Sequence, residues 1–109
     1  MREWKLFAND MFEAVEAIER FTEGKDQASF VADDLVFSAV IQKIEILGEA
    51  ARHIPQDIQE IHSEVIWYRM TDMRNRLAHG YFQIDGELVW KAIKDDLPTL
   101  KAALSKLIV

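Results

Sequence analysis

Apolar residues recur along this chain at steps of three and four, the period of helices packed on one side. Trp4, Phe7, Met11, Val15, Ile18 and Phe21 set out a first helix from about Trp4 to Phe21. Thr22-Glu23-Gly24-Lys25-Asp26 ends it with a glycine stop and polar residues. Gln27 to Ala32 reads as a single short turn, and Asp33 as the N-cap of a second helix. That second helix, about Asp34 to His53, carries a stripe of Phe37, Val40, Ile41, Ile44, Leu47 and Ala51, with Leu35, Ala39 and Ile46 lying off it. Apolar surface over more than half the circumference exceeds what a surface helix of a small monomer needs. The surplus predicts a second buried face and hence a homodimer. Gly48 lies in the stripe, where a missing side chain lets another helix come close. The polar side holds Glu45, Glu49 and Arg52, read as solvated helix charges, with Glu45 or Glu49 free to pair with a buried cation.

Ile54-Pro55 breaks this helix, because the residue before proline avoids the helical region. Pro55 starts a short helix through Ile61, and His62-Ser63-Glu64 is a loop with His62 exposed and idle. Ile66 to His79 forms the next helix, anchored by Trp67. Tyr81 to Ile84 is a short connection, and Asp85 caps a further helix. Asp95-Asp96-Leu97-Pro98 is either a kink or a break with Asp96 as a fresh cap, after which Leu97, Leu100, Leu104, Leu107 and Ile108 complete a final amphipathic helix. No stretch alternates as a strand does. The expected fold is all-α, an up-and-down bundle of four main helices plus a short one, with residues 1–109 as a single domain.

Composition narrows the chemistry. The chain has no cysteine, so neither a disulfide framework nor a cysteine metal site is expected. Its three histidines, His53, His62 and His79, lack zinc-ligand spacing, and no metal or cofactor is expected. No apolar run approaches membrane-spanning length and the N-terminus shows no signal-peptide pattern, so a soluble, cytoplasmic protein is expected. The formal net charge of −6 argues against broad, sequence-independent binding to phosphate backbones. A nucleic acid would have to bind in a local basic cleft. Arg69, Arg74 and Arg76 are the candidates for it, and Arg69 and Arg76 read equally well as solvated helix charges.

Chemistry concentrates in Arg74-Asn75-Arg76-Leu77-Ala78-His79-Gly80-Tyr81. Trp67, Met70, Met73, Leu77 and Ala78 share one helical face, and Arg74 falls inside it. A guanidinium there is costly unless it is paired or lines a polar cleft. His79 sits in the last turn before the Gly80 stop, about 140° around from Arg74 on a regular helix. One straight helix cannot aim both at the same atom, so either the helix unwinds near Gly80 or a second copy of the chain supplies one group. On spacing alone, an Arg and a His separated by four intervening residues is a weak pattern, and a structural ion pair beside an ordinary helix ending is the better reading.

The full string is more specific. Arg74-Asn75-x-x-x-His79-x-Tyr81 resembles the signature of HepT-type toxins in the HEPN superfamily of helical ribonucleases. The resemblance extends to Ile46-Leu47-Gly48-Glu49-Ala50-Ala51 upstream, and to Leu88-x-Trp90 and Asp96-Leu97-Pro98 downstream. The chain departs from it at Ser63 and Ile66, where prolines are common, and at Asp72, where glycine is common. The resemblance implies a metal-independent endoribonuclease with its cleft at a dimer interface, Arg74 and His79 catalytic and Asn75 supporting them. Such chemistry needs a base for the 2′-hydroxyl, an acid for the leaving 5′-oxygen and positive charge on the phosphorane-like transition state. The resemblance further implies an MntA-like nucleotidyltransferase antitoxin as partner, which transfers AMP to the tyrosine at position 81. The alternative is a non-catalytic helical nucleotide-binding or scaffold subunit of a nucleotidyltransferase complex, which the negative charge favours and the complete motif disfavours.

Overall fold

A computed structural model describes residues 3–78 and 85–108. Among these residues the secondary structure is entirely helical: α1 (Trp4–Thr22), α2 (Gln27–Ala32), α3 (Asp34–Ala51), α4 (Gln56–Ile61), α5 (Trp67–Ala78), α6 (Gly86–Asp95) and α7 (Leu97–Leu107). The all-α bundle read from the apolar pattern is the observed architecture, with one short helix more than expected.

That extra helix is α2, and its cause is local. The Asp26 side chain accepts from the Ser29 backbone N–H at 2.8 Å, while the Ser29 hydroxyl accepts from the Asp26 N–H at 3.0 Å. This reciprocal box satisfies two donors that a helix start would leave open. Gly24, at φ 77°, supplies the left-handed residue that lets the chain leave α1 and turn into it. Asp33 then caps α3 by accepting from the Val36 N–H at 3.1 Å, as its position predicts.

The helix α3 is the central element, packed against α1 on one side and α5 on the other, and α7 closes over α1. Met11, Val15 and Ile18 of α1, Val40 and Leu47 of α3, and Leu100 and Leu104 of α7 are the heart of the core and are essentially inaccessible. Fully burying side chains of this size is worth about 1.5–3 kcal/mol each. Phe30 of α2 is also fully buried, its ring centroid 5.3 Å from that of Phe37 and 5.2 Å from that of Trp90. One short helix thereby ties α3 to α6. At the surface, Lys101 of α7 reaches Glu19 of α1 at 2.8 Å.

The α4–α5 connection is tighter than a simple loop. Trp67 is buried, and its indole N–H donates to the His62 carbonyl at 3.1 Å. His62, expected to be exposed, is instead largely covered, with its Nδ1 3.3 Å from a Glu64 carboxylate oxygen. Burying the indole requires a partner for its N–H, and supplying that partner pulls His62 onto the body of the protein.

The junction between α6 and α7 is a bend rather than a capped restart. Asp96 keeps helical dihedrals, its N–H donates to Ala92 and its carbonyl accepts from Leu100. Its carboxylate makes no cap and pairs with Arg69 at 3.0 Å. Pro98 falls in the first turn of α7, where a missing N–H costs nothing.

Candidate active site

The site is built where α5 crosses α3, and Gly48 sets how closely they cross. A Cβ placed on Gly48 would collide with the Cβ of Arg74 and would lie 2.6 Å from the Met70 carbonyl oxygen. Thr71 adds a hydroxyl contact to the Gly48 carbonyl at 3.5 Å. Arg74 therefore lies inside the apolar face of α5, as its position in sequence indicates. Its stem covers Gly48 while its head turns outward. This arrangement resolves the cost of a guanidinium on a buried face, because the aliphatic part packs and the charge stays wet.

The guanidinium is held lightly. Its Nη1 donates to the Asn75 side-chain oxygen at 3.2 Å, and its Nη2 lies 3.8 Å from a carboxylate oxygen of Glu49. Of the two carboxylates available on α3, Glu49 is thus the partner. Five N–H donors sit on this group, and among the described residues one is in hydrogen-bond contact, with Asn75. A phosphate binds such a fork through two parallel bonds of about 2.7–2.9 Å, shorter than either contact the group now makes.

Glu49 is itself shared. Arg52 reaches it at 3.1 Å from the same helix, and the Nε2 of His53 lies 3.7 Å from its other oxygen. His53 stacks on Phe7 of α1, with ring centroids 4.1 Å apart and planes 12° from parallel. A continuous polar row therefore runs from Asn75 through Arg74 and Glu49 to His53. His53 lacks ligand spacing, and the sequence pattern does not single it out. Its signal was the four-residue step from Glu49, a common helical spacing that gains meaning only once α5 is seen alongside.

The other two arginines of the expected basic cleft are engaged elsewhere. Arg69 pairs with Asp96 at 3.0 Å, and Arg76 with Asp72 at 3.2 Å one turn away. Both are solvated helix charges, the second of the two readings open to them. Among the described residues, no group of three or more His, Cys, Asp or Glu side chains is placed to hold a metal ion. Among the described residues, no helix is long and apolar enough to cross a membrane. His79 and Tyr81, with the Gly80 stop between them, lie outside the described residues. Of the four site residues expected from the motif, the structure places Arg74 and Asn75 side by side at the end of α5, the helix that leads directly to the other two.

The all-α bundle, with the motif arginine on a close crossing of two helices, is consistent with a HEPN-like helical domain. The chain belongs to the HepT-like ribonuclease family, whose profile matches residues 11–107. The protein named "Probable ribonuclease HepT" of Thermococcus cleftensis is 41% identical over 106 residues, covering 97% of this chain and 96% of that one. A relative from Methanocaldococcus jannaschii, also named as an RNase, is 39% identical over 100 residues and 92% of each chain. Another from the same organism, named for a gamma-glutamylcyclotransferase as well as an RNase, is 34% identical over 103 residues, and the match spans 46% of its length. No solved structure matches the chain at a significant level.

Proposed function

We propose that this protein is a metal-independent endoribonuclease of a toxin–antitoxin pair. In this reading Arg74 clamps the scissile phosphate, Asn75 orients the guanidinium and His79 moves a proton. The observation that carries the reading is the state of Arg74: stem locked over Gly48, side chain 34% exposed, and five positions before the motif histidine. An arginine fork matches a phosphate as it gains charge in the transition state. Membership of a ribonuclease family supports the same substrate class. The acidic remainder of the surface restricts RNA to this cleft.

The reading includes a two-fold dimer through α3 and α5. Leu35 on α3 is 81% exposed, which supports a partner surface there. It also includes an MntA-like nucleotidyltransferase partner that adds AMP to Tyr81. A nucleotide attached two residues beyond His79 would place bulk and negative charge beside Arg74 and exclude RNA by volume and repulsion.

The test is cleavage of RNA in the presence of a metal chelator. The wild-type protein cuts, whereas Arg74→Ala and His79→Ala fold and do not. Activity that survives both substitutions, or that returns only with added divalent metal, removes the mechanism. If the Arg74→Ala protein keeps the dimer and nucleotidyltransferase binding while the wild type cuts no RNA, the scaffold-subunit reading takes its place.

A further inference from the structure

Metal-free RNA cleavage needs two proton-transfer groups, and the motif provides one imidazole per chain. A second imidazole lies on the same polar row as Arg74. We infer that His53 is the general base at this site, oriented by Glu49, an inference that rests on the ribonuclease reading given above.

Three observations converge on it. The carboxylate of Glu49 stands between the guanidinium and the imidazole, one oxygen 3.8 Å from Arg74 and the other 3.7 Å from the Nε2 of His53. The guanidinium and the imidazole thus border one and the same carboxylate, on its two oxygens. The ring is also preorganised. Phe7 stacks against it at 4.1 Å and fixes its plane, so it does not have to be ordered when substrate arrives. And the ring is reachable: its side chain is 43% exposed, and it lies just beyond the last turn of α3. Among the described residues, the charged group beside it is Glu49 of α3, which Arg52 at the end of that helix and Arg74 of α5 also reach, while α1 presents the uncharged ring of Phe7.

The chemistry balances as follows. With Glu49 on the Nε2 side, the step uses the tautomer that carries its proton on Nε2 and leaves Nδ1 with a lone pair. Nδ1 takes the proton of the ribose 2′-hydroxyl as the 2′-oxygen bonds to phosphorus. The bond from phosphorus to the 5′-oxygen breaks, and that oxygen takes a proton from the acid, His79 in the proposed mechanism. The products are a 2′,3′-cyclic phosphate and a 5′-hydroxyl. Glu49 steadies the imidazolium that forms without taking its proton, the role a carboxylate plays behind a catalytic histidine. Contacts of 3.7–3.8 Å are looser than hydrogen bonds, as catalytic contacts outside a Michaelis complex often are.

The experiment compares the full-length wild type with His53→Gln, Glu49→Gln and Arg74→Ala on a short RNA. Each is also tested for binding to the same RNA carrying a 2′-deoxy sugar at the cut site. His53→Gln should lower kcat by about 10²–10⁴-fold. It should also lose the limb of the pH–rate profile that reports a base losing its proton, while it binds the 2′-deoxy analogue as the wild type does. Glu49→Gln should lower kcat less and shift that limb without removing it. Thermal melting confirms that each variant is folded. A His53→Gln protein with wild-type kcat and both limbs intact overturns the inference. So does one whose kcat and analogue binding fall together with the profile unchanged, since that marks a contact residue rather than a base. If Arg74→Ala cleaves as well as the wild type, the site reading itself fails. If Arg74→Ala is inactive and His53→Gln is fully active, the site reading stands and the role of His53 falls. A wild-type chain that cuts no RNA overturns both.

Discussion

Gly48 and Arg74 occupy what would otherwise be one volume: the arginine stem fills the place where any side chain at position 48 would stand. The depth at which the guanidinium emerges is therefore fixed by a residue on another helix. Stability and site geometry share that contact.

Gly48→Ala should damage both. The added methyl meets the Met70 carbonyl, which is backbone and cannot swing aside, as well as the Arg74 stem. Overpacking of this kind costs about 1–3 kcal/mol, despite alanine's better helix propensity. Each kcal/mol lowers the melting temperature of a domain near this size by about 4–8 °C. Scanning calorimetry reads the loss, and RNA cleavage should fall by more than the unfolded fraction explains. An unchanged melting temperature would mean that α3 and α5 do not cross this closely.

Acid should loosen the α2–α3 region first. The Ser29 N–H, joined by its hydroxyl, holds the Asp26 carboxyl below the usual carboxylate range, and the Val36 N–H, helped by Lys25, does the same for Asp33. A carboxyl depressed in the folded state contributes stability that is complete above its unfolded value, about 3.9 for aspartate, and is lost as pH falls through the lower folded value. The melting temperature should hold steady to about pH 5 and decline below about pH 4. Replacing both residues by Asn, which caps a helix as well as Asp does, should shallow that decline because nothing remains there to titrate. An acid slope identical in the double variant would assign the decline to other carboxylates.

Most of this fold is legible in the sequence because its helices are amphipathic at fixed steps and its caps are ordinary. Asp33 and Asp85 both cap where an N-cap residue precedes an apolar run. The short helix at Gln27–Ala32 was harder to see, since six residues give too little periodicity and the signal lies in a serine three positions after Asp26. The carboxylate of Asp96 could have capped α7, and it went to Arg69, 27 residues away in sequence. The site shows the same limit. The position of Arg74 on an apolar face is written in α5 alone. Its partner on α3, and the histidine beyond that partner, depend on how the two helices lie together, which no local pattern encodes.

Leu35 offers a test of the proposed dimer. At 81% exposure on α3, it contributes almost nothing to the fold of one chain. Leu35→Glu should leave the stability of an isolated protomer within about 0.5 kcal/mol of the wild type. If α3 meets its counterpart, the same change buries an unpaired charge and should shift the mass measured by light scattering at micromolar concentration from dimer to monomer. A wild-type protein that already scatters as a clean monomer would remove the dimer from the proposal. A dimer indifferent to Leu35→Glu would move the interface off this face.

Arg74→Lys separates charge from geometry at the clamp. Lysine keeps the Cβ and Cγ that rest on Gly48, so the crossing of α3 and α5 should survive and the melting temperature should change little. It also keeps a positive charge, so the attraction of the cleft for RNA and its weakening by salt should persist in reduced form. What it loses is the planar fork. An ammonium cannot hold two phosphate oxygens in parallel, nor keep a fixed orientation against Asn75. Losses of this kind fall on the transition state, where removing one well-placed donor costs about 10²–10³-fold in rate. Arg74→Lys should therefore show a kcat lower by about that factor with a KM close to wild type, whereas Arg74→Ala should lose both. Steady-state cleavage of a fluorescent RNA over a range of salt concentrations gives both constants. Equal activity of the lysine and arginine proteins would reduce the clamp to a simple point charge, and equal inactivity of the lysine and alanine proteins in binding as well as turnover would show that the fork is needed to capture the RNA at all.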